Sequence, residues 1–185
     1  MSVYGDALGA FGNAQVVELP PALIASPYGG INNTNDATAK NPLGTLYRYK
    51  GLLYRYVKFD NGSDNVAALA AGVVHWKTLS PGTGVFTVTS DYSSGLGNIN
   101  TVAGIIKCVV TDGYYTWIQV GGVASAKANA SAVAGDIAIG GSSDLTFGYI
   151  AADATITSVP FGVHLSSYSG GYANIILAAG VLACF

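Results

Sequence analysis

The stretch that decides the fold is VAGIIKCVVTDGYYTWIQV, residues 102 to 120. Two runs rich in β-branched and aromatic residues flank Asp112-Gly113, a pair that supplies the positive φ angle of a tight turn. Each run has the length of a strand rather than of a helix. The stretch therefore predicts two strands joined by a tight turn, Val102–Thr111 and Tyr114–Val120.

The same texture continues on both sides, from Leu46 to the end of the chain, and Asp60-Asn61-Gly62 and Gly170-Gly171 punctuate it. Two alanine-rich pieces, 65–71 and 124–134, run into glycine and are predicted as extended segments or single turns. The predicted fold class is all-β, a compact β-sandwich or β-barrel of short antiparallel strands. The other predicted strands are Leu53–Phe59, Gly72–Thr78, Gly84–Thr89, Asp136–Ile139, Leu145–Ala151, Phe161–Leu165 and Tyr172–Ala178.

Residues 1 to 45 differ from this body, which spans residues 46 to 185. Glycine, asparagine and proline interrupt them repeatedly, and they show neither the strand nor the helix period. They predict an extended N-terminal arm that is held by contact with a neighbouring protein surface. The apolar residues expected to anchor the arm are Val16, Val17, Leu19, Leu23 and Ile24.

The chain is poor in charge, with 8 Lys or Arg and 10 Asp or Glu, 10 % of its residues. Soluble domains carry about 25 %. A surface with so few charges predicts burial of much of the exterior by other protein chains. The net charge of −2 argues against nucleic acid as the principal partner, and no apolar stretch has the length of a membrane span.

The N-terminal sequence MSVYGDALGAFGNAQ does not have the pattern of a secretory signal. Cys108 and Cys184 lie in apolar, strand-like surroundings, where a buried free thiol is the usual role of cysteine. We therefore expect synthesis in a reducing host cytoplasm.

Residues for catalysis or metal binding are scarce. His75 and His164 each lie in an apolar strand, and Glu18, the only glutamate, lies in the arm. A paired-carboxylate or metal site needs several such groups together. We expect no enzyme activity, no metal and no cofactor. The aspartates beside Gly, Asn or Ser are expected to close turns through the local backbone, and they are Asp60, Asp64, Asp91, Asp112 and Asp136.

The densest basic and aromatic segment is YRYKGLLYRYVK, residues 47 to 58. Alternating cations and rings fit a protein interface, a solvated strand or a platform for single-stranded nucleic acid. The interface is favoured because tyrosine and arginine are enriched at binding hot spots. The partner-binding residues predicted here are Tyr47, Arg48, Tyr49, Tyr54 and Arg55.

Three segments, YRYVKFDNG (54–62), VAALAAGVVHW (66–76) and DGYYTWIQVGGVA (112–124), resemble head decoration, or cement, proteins of tailed bacteriophages. The resemblance covers most of residues 54 to 151. It implies a β-rich body, often trimeric, on the outside of the capsid where several major capsid proteins meet. No catalytic residues carry over from such proteins.

Composition and resemblance together predict a virion structural protein. It would bind the major capsid protein and copies of itself, as a homotrimer, on the capsid exterior. The alternatives are another virion component, such as a tail or fibre protein, and a non-catalytic carbohydrate-binding module that uses tyrosine and tryptophan. A hydrolase is a weaker alternative.

Overall fold

The computed structural model describes residues 34–80, 85–94, 102–141, 143–152, 154–155 and 160–178. These residues form ten β-strands and, between β4 and β5, a short 3-10 turn, Tyr92–Ser94, and contain no α-helix. The all-β prediction is confirmed. The strands are β1 (Leu46–Tyr49), β2 (Leu52–Asp60), β3 (Val73–Ser80), β4 (Val85–Thr89), β5 (Val102–Ile106), β6 (Tyr115–Lys127), β7 (Ile137–Gly140), β8 (Phe147–Ile150), β9 (Gly162–His164) and β10 (Tyr172–Leu177).

Five strands close into a barrel in the order β2-β4-β3-β5-β6, and pairing between β2 and β6 completes the ring. The prediction of antiparallel strands needs one correction, because β2 and β4 are parallel where Lys58–Asp60 meets Thr87–Thr89. The strand β3 lies between β4 and β5 and pairs with both. One edge of β4 is therefore paired with β3, and its other edge pairs with β2.

The strand β6 is long enough to take part in two sheets. Its first half pairs with β2 and β5 in the barrel, and its second half pairs with β10 in a sheet of order β6-β10-β9-β7-β8. Gly122 lies at the change of sheet with a φ of +83°, which an L side chain rarely adopts. The Gln119 amide supports this bend by donating to the carbonyls of Gly121 (3.2 Å) and Val123 (3.0 Å).

Two main cores result. The barrel interior contains Val57, Phe59 and Trp76 among its buried residues. A second core contains Val73 and Val102 from the barrel strands together with residues of the second sheet, Ala138, Phe147, Phe161, Ile175 and Leu177. The second core therefore lies between the barrel and the second sheet.

The predicted strands are found with shifted ends. The predicted strand Val102–Thr111 stops at Ile106, because Thr111 N–H donates to the Asn35 side chain and the Cys108 thiol reaches the Thr34 carbonyl. By contrast, β6 is longer than predicted, because it continues into the second alanine-rich piece and ends at Lys127. The strand β1 was not predicted from the sequence, and a turn at Lys50-Gly51 separates it from β2.

Residues 34 to 45, assigned to the arm from sequence, bind to the barrel of their own chain. Asp36 forms an antiparallel bridge with Tyr115, with both N–H···O distances 2.9 Å. The Thr116 hydroxyl donates to the Thr34 carbonyl at 2.7 Å, and Gly44 N–H donates to the Tyr56 carbonyl at 2.8 Å. The predicted anchors Val16, Val17, Leu19, Leu23 and Ile24 lie outside the described residues, as does Cys184.

Candidate functional site

The segment predicted to bind a partner is a hairpin of β1 and β2 in which Tyr47 is paired with Tyr54. Both tyrosines are 3 % exposed and pack with Tyr56 and Trp117 on the outer face of the barrel wall. This corrects the sequence interpretation, because their rings are used inside the subunit. A hot-spot composition looks the same in sequence whether a partner or the chain itself covers the rings.

Residues 36 to 40 cover part of this aromatic cluster. The Tyr56 hydroxyl donates to the Asp36 carboxylate at 2.9 Å and accepts from the Lys40 N–H at 3.2 Å. Asp36 also forms an ion pair with Lys40 at 2.8 Å. Burial raises the pKa of Tyr56 well above its usual range. The cluster is thus closed by the chain itself, and Tyr56 acts as a structural hydrogen-bonding group.

Arg55 points to the other side of the wall, toward the barrel interior. Its guanidinium lies 5.7 Å from the ring centre of Trp76 and 5.5 Å from that of Phe86. Its Nε is buried without a hydrogen-bond partner, and no carboxylate of the described residues pairs with it. Burial lowers the pKa of Arg55. Arg55 was predicted to bind a partner; its cation is held between the chain's own rings, which gives it a structural role in the subunit.

Three of the five residues predicted in this hairpin keep accessible surface, since Arg55 is partly exposed as well as the two residues at the tip, Arg48 and Tyr49. Arg48 is exposed and Tyr49 is partly exposed at the end of β1, next to the Lys50-Gly51 turn. The Lys50 ammonium lies 5.2 Å from the ring centre of Tyr49. The tip of the hairpin is therefore the most exposed part of the predicted interface.

The aspartates accept hydrogen bonds from their own chain, and Asp60 and Asp136 close local turns as predicted, whereas Asp112 bonds a residue of another loop. Asp60 accepts from Gly62 N–H at 2.8 Å and pairs with Lys77 at 2.7 Å. Asp112 accepts from Asn61 N–H at 2.8 Å, and Asp136 accepts from Val133 N–H at 2.9 Å.

Asp91 is the most strongly bonded of these carboxylates and is fully buried. It accepts from the hydroxyls of Ser93 (2.7 Å) and Ser94 (2.6 Å) and from the N–H of Asp64 (3.1 Å). Burial alone would raise the pKa of Asp91, but these hydrogen bonds stabilise the anion and lower it far below its usual range. A carboxylate held this way stays ionised and is a poor proton donor or acceptor.

The histidines are equally unavailable, because each is 1 % exposed. Burial lowers the pKa of His75 to about 4 and also lowers the pKa of His164. The described part of the chain contains no group of three or more His, Cys, Asp or Glu placed to hold a metal ion. It also contains no helix that is long and apolar enough to span a membrane.

The accessible feature that sequence reasoning missed is an apolar face on the second sheet. Val123, Ile176 and Val163 are direct neighbours on β6, β10 and β9, and they are 50 %, 43 % and 39 % exposed. A signal was present in Ile175-Ile176-Leu177, where apolar residues occupy both faces of one strand. Strands of that kind usually belong to sheets that are covered on both sides.

The fold and its surface define a class of protein: an all-β barrel with an attached sheet, whose described residues include an exposed apolar sheet face and an exposed hairpin tip. No family model matches the chain, and no curated protein matches its sequence. A solved structure with similarity is described as the crystal structure of head fiber gp8.5 N base in bacteriophage phi29. It has 12 % identity and a TM-score of 0.47, and the alignment covers 69 % of this chain and 95 % of that chain.

Proposed function

We propose that this chain is a virion structural protein of a tailed bacteriophage, a decoration protein that binds the outer surface of the head and stabilises contacts between major capsid proteins. The observation that carries the proposal is the exposed apolar face in a chain with 10 % charged residues. An uncharged surface of this kind is stable in water mainly when other protein covers it.

The second support is the way in which the titratable groups are used. The aspartates accept hydrogen bonds from backbone N–H groups and hydroxyls of their own and neighbouring loops, and both histidines are buried. A structural protein needs no reactive group, whereas acid-base catalysis needs titratable groups that can reach a substrate. We therefore propose a role in binding and not in catalysis.

The proposed partners are the major capsid protein and further copies of this chain, arranged as a trimer on the capsid exterior. Residues 1 to 33 would contribute the apolar anchors named above, and Arg48 and Tyr49 would contribute at the hairpin tip. The scarcity of charge supports the self-association.

A tail or fibre component and a carbohydrate-binding module remain the alternatives. The carbohydrate-binding alternative is the weaker one, because Trp76 and Trp117 are 2 % and 3 % exposed and cannot form a sugar-stacking platform. Among the residues that the structure describes, the exposed tyrosines Tyr149, Tyr168 and Tyr172 are the rings that such a module could use.

The deciding experiment is to add the purified chain to phage particles that lack it and to image the particles. We expect density at ordered positions on the head and a higher temperature of head disruption. Density on tails alone would support the tail or fibre alternative. Absence of binding to any particle, together with retention on a glycan array, would support the carbohydrate-binding module.

A further inference from the structure

Four neighbouring strands of the second sheet align one apolar side chain each on the same face. Ile176 on β10 lies opposite Val123 on β6 and Val163 on β9. Val163 in turn lies opposite Ile137 on β7. Side chains at directly paired positions are about 5 Å apart, so these residues form a continuous apolar row.

This row lies on the side of the sheet that faces away from the barrel. Ile175 and Leu177, which alternate with Ile176 along β10, are 0 % and 3 % exposed and belong to the core shared with the barrel. Ile176 itself is 43 % exposed. A sheet with one solvated face normally alternates apolar and polar residues, and β10 departs from that pattern at the row.

Toward one end of the sheet the same face continues with the exposed polar pair Asn174 and Ser125. It also carries Tyr172, 41 % exposed on β10, and Leu165, 48 % exposed just after β9. Among the described positions of this face on β6, β10, β9 and β7, Lys127 is the only charged residue. We call this surface the outer apolar face and define it by Val123, Ile137, Val163, Leu165, Tyr172 and Ile176.

We propose that the outer apolar face binds the same face of another copy of this chain. An uncharged sheet face can pack against its own copy without burying unpaired charges, and packing of sheet on sheet is a common way to cover two apolar faces. This inference deepens the proposed function and rests on it for its biological setting. A contact between the same face of two copies is two-fold and pairs two copies, so it is distinct from the contact that would form the proposed trimer.

The size of the face sets the strength of the contact. Its side chains expose on the order of 400 Å², a patch size that often marks a binding surface on a monomer. Two copies would bury about 800 Å² in total, less than the ~1,200 Å² of a typical stable complex. The contact should therefore be weak and dependent on concentration in solution, and favoured where copies are crowded on one particle.

The test is sedimentation velocity of the full chain over about 1 to 100 µM, the range in which a weak contact should dissociate. The variant Val163→Lys places a charge in the centre of the row, and the matched control Val109→Lys changes a valine that is 63 % exposed outside it. We expect the original chain and the control to associate with rising concentration. Val163→Lys should need at least about tenfold more protein for the same association, because a buried unpaired charge is costly.

Salt gives a second readout, because an apolar contact does not weaken with ionic strength whereas an exposed ion pair does. Should Val163→Lys fail to fold, Val163→Thr keeps the β-branched shape and should weaken association in the same direction. A chain that is monomeric throughout the range, or equal association of the Val163 and Val109 variants, would overturn the inference. Because no phage particle is present, these outcomes are independent of whether the chain binds a capsid.

Discussion

Gly62 lies directly against the carboxylate of Asp91, with no room between them for a side chain. Gly62 belongs to the turn after β2, and Asp91 follows β4. Asp91 accepts hydrogen bonds from two loops: from Ser63 and Asp64 in the loop after β2, and from Ser93 and Ser94 in the loop after β4. The buried carboxylate thus joins two loops at one end of the barrel.

Replacing Gly62 by alanine should cost more stability than replacing Gly113. The two glycines have φ angles of +77° and +76°, but a Cβ at Gly62 would collide with Asp91 whereas a Cβ at Gly113 would meet nothing within 4 Å. The left-handed backbone costs about 1 kcal/mol in either variant. We expect Gly62→Ala to lose about 2 kcal/mol more, because the Asp91 network must shift. Equal losses in urea unfolding would show that Asp91 can move freely.

Acid should destabilise the fold in the window set by His75. Its pKa is about 4 when folded and 6.5 in the unfolded chain, so between these values the unfolded state binds more protons. The stability that His75 contributes is complete above pH 6.5 and falls as the pH drops toward 4, by about 3 kcal/mol at most.

The variant His75→Phe isolates this effect, because it keeps a ring beside Tyr92 and removes the titrating group. Its unfolding free energy should fall less between pH 6.5 and 4 than that of the original chain, and the remaining fall should come from His164, whose pKa burial also lowers. The variant Asp91→Asn is the control. The lowered pKa of Asp91 provides stability above about pH 3.8 that is lost on further acidification. Removing this carboxylate should therefore leave the loss of unfolding free energy between pH 6.5 and 4 in place. A His75→Phe profile as steep as that of the original chain would contradict this assignment.

The two arginines of the hairpin should behave differently. Arg55→Met should raise the unfolding free energy by about 1 kcal/mol, because it replaces a partly buried cation without a carboxylate partner by an apolar side chain of similar length. A clear loss of stability would mean that the contacts with Trp76 and Phe86 outweigh the cost of burial.

Arg48→Met is the matched variant at the exposed position of the same hairpin. It should leave the unfolding free energy unchanged and weaken binding to particles, whereas Arg55→Met should leave particle binding unchanged. Thermal unfolding and occupancy on particles, measured for both, separate the two roles. The reverse pattern would restore Arg55 as a partner-binding residue.

Truncation of the N-terminal segment should have two distinct effects. Deleting residues 2–33 should leave a cooperatively folded barrel and reduce occupancy on particles, because it removes Val16, Val17, Leu19, Leu23 and Ile24. Deleting residues 2–45 should also lower the unfolding temperature, since it removes the Asp36–Tyr56 and Thr34–Thr116 hydrogen bonds. Full occupancy after the shorter deletion would refute the anchoring role.

Much of the strand pattern could be predicted because it is local. Val, Ile, Thr and Tyr favour extended backbone, and Gly62, Gly113, Gly170 and Gly171 all adopt the positive φ angles that the predicted turns need. The aspartates could be assigned for the same reason, since a turn-closing bond such as Asp60 to Gly62 N–H spans two residues. The limits of the strands at Ile106 and Lys127 depended on contacts with distant residues.

The candidate site was predicted less well than the fold. The alternation of Tyr54, Arg55 and Tyr56 indicated the two faces of a strand. It did not indicate that Arg55 faces the barrel interior or that the chain itself covers the two tyrosines. The alternation of side chains between the two faces of a strand is a local property, whereas the burial of each face depends on elements far away in the sequence.

The sequence by itself determined an all-β chain, its turns, its shortage of charge and the structural use of its aspartates, because propensity, turn chemistry and composition act over a few residues. Only the tertiary structure decided that β2 meets β6 to close a barrel, that Tyr47 and Tyr54 are buried, and that Val123, Ile176 and Val163 form an exposed row. Those outcomes depend on strand register and closure between residues far apart in the sequence, such as Tyr47 and Trp117, which are 70 positions apart, and they are set by the packing of the whole chain.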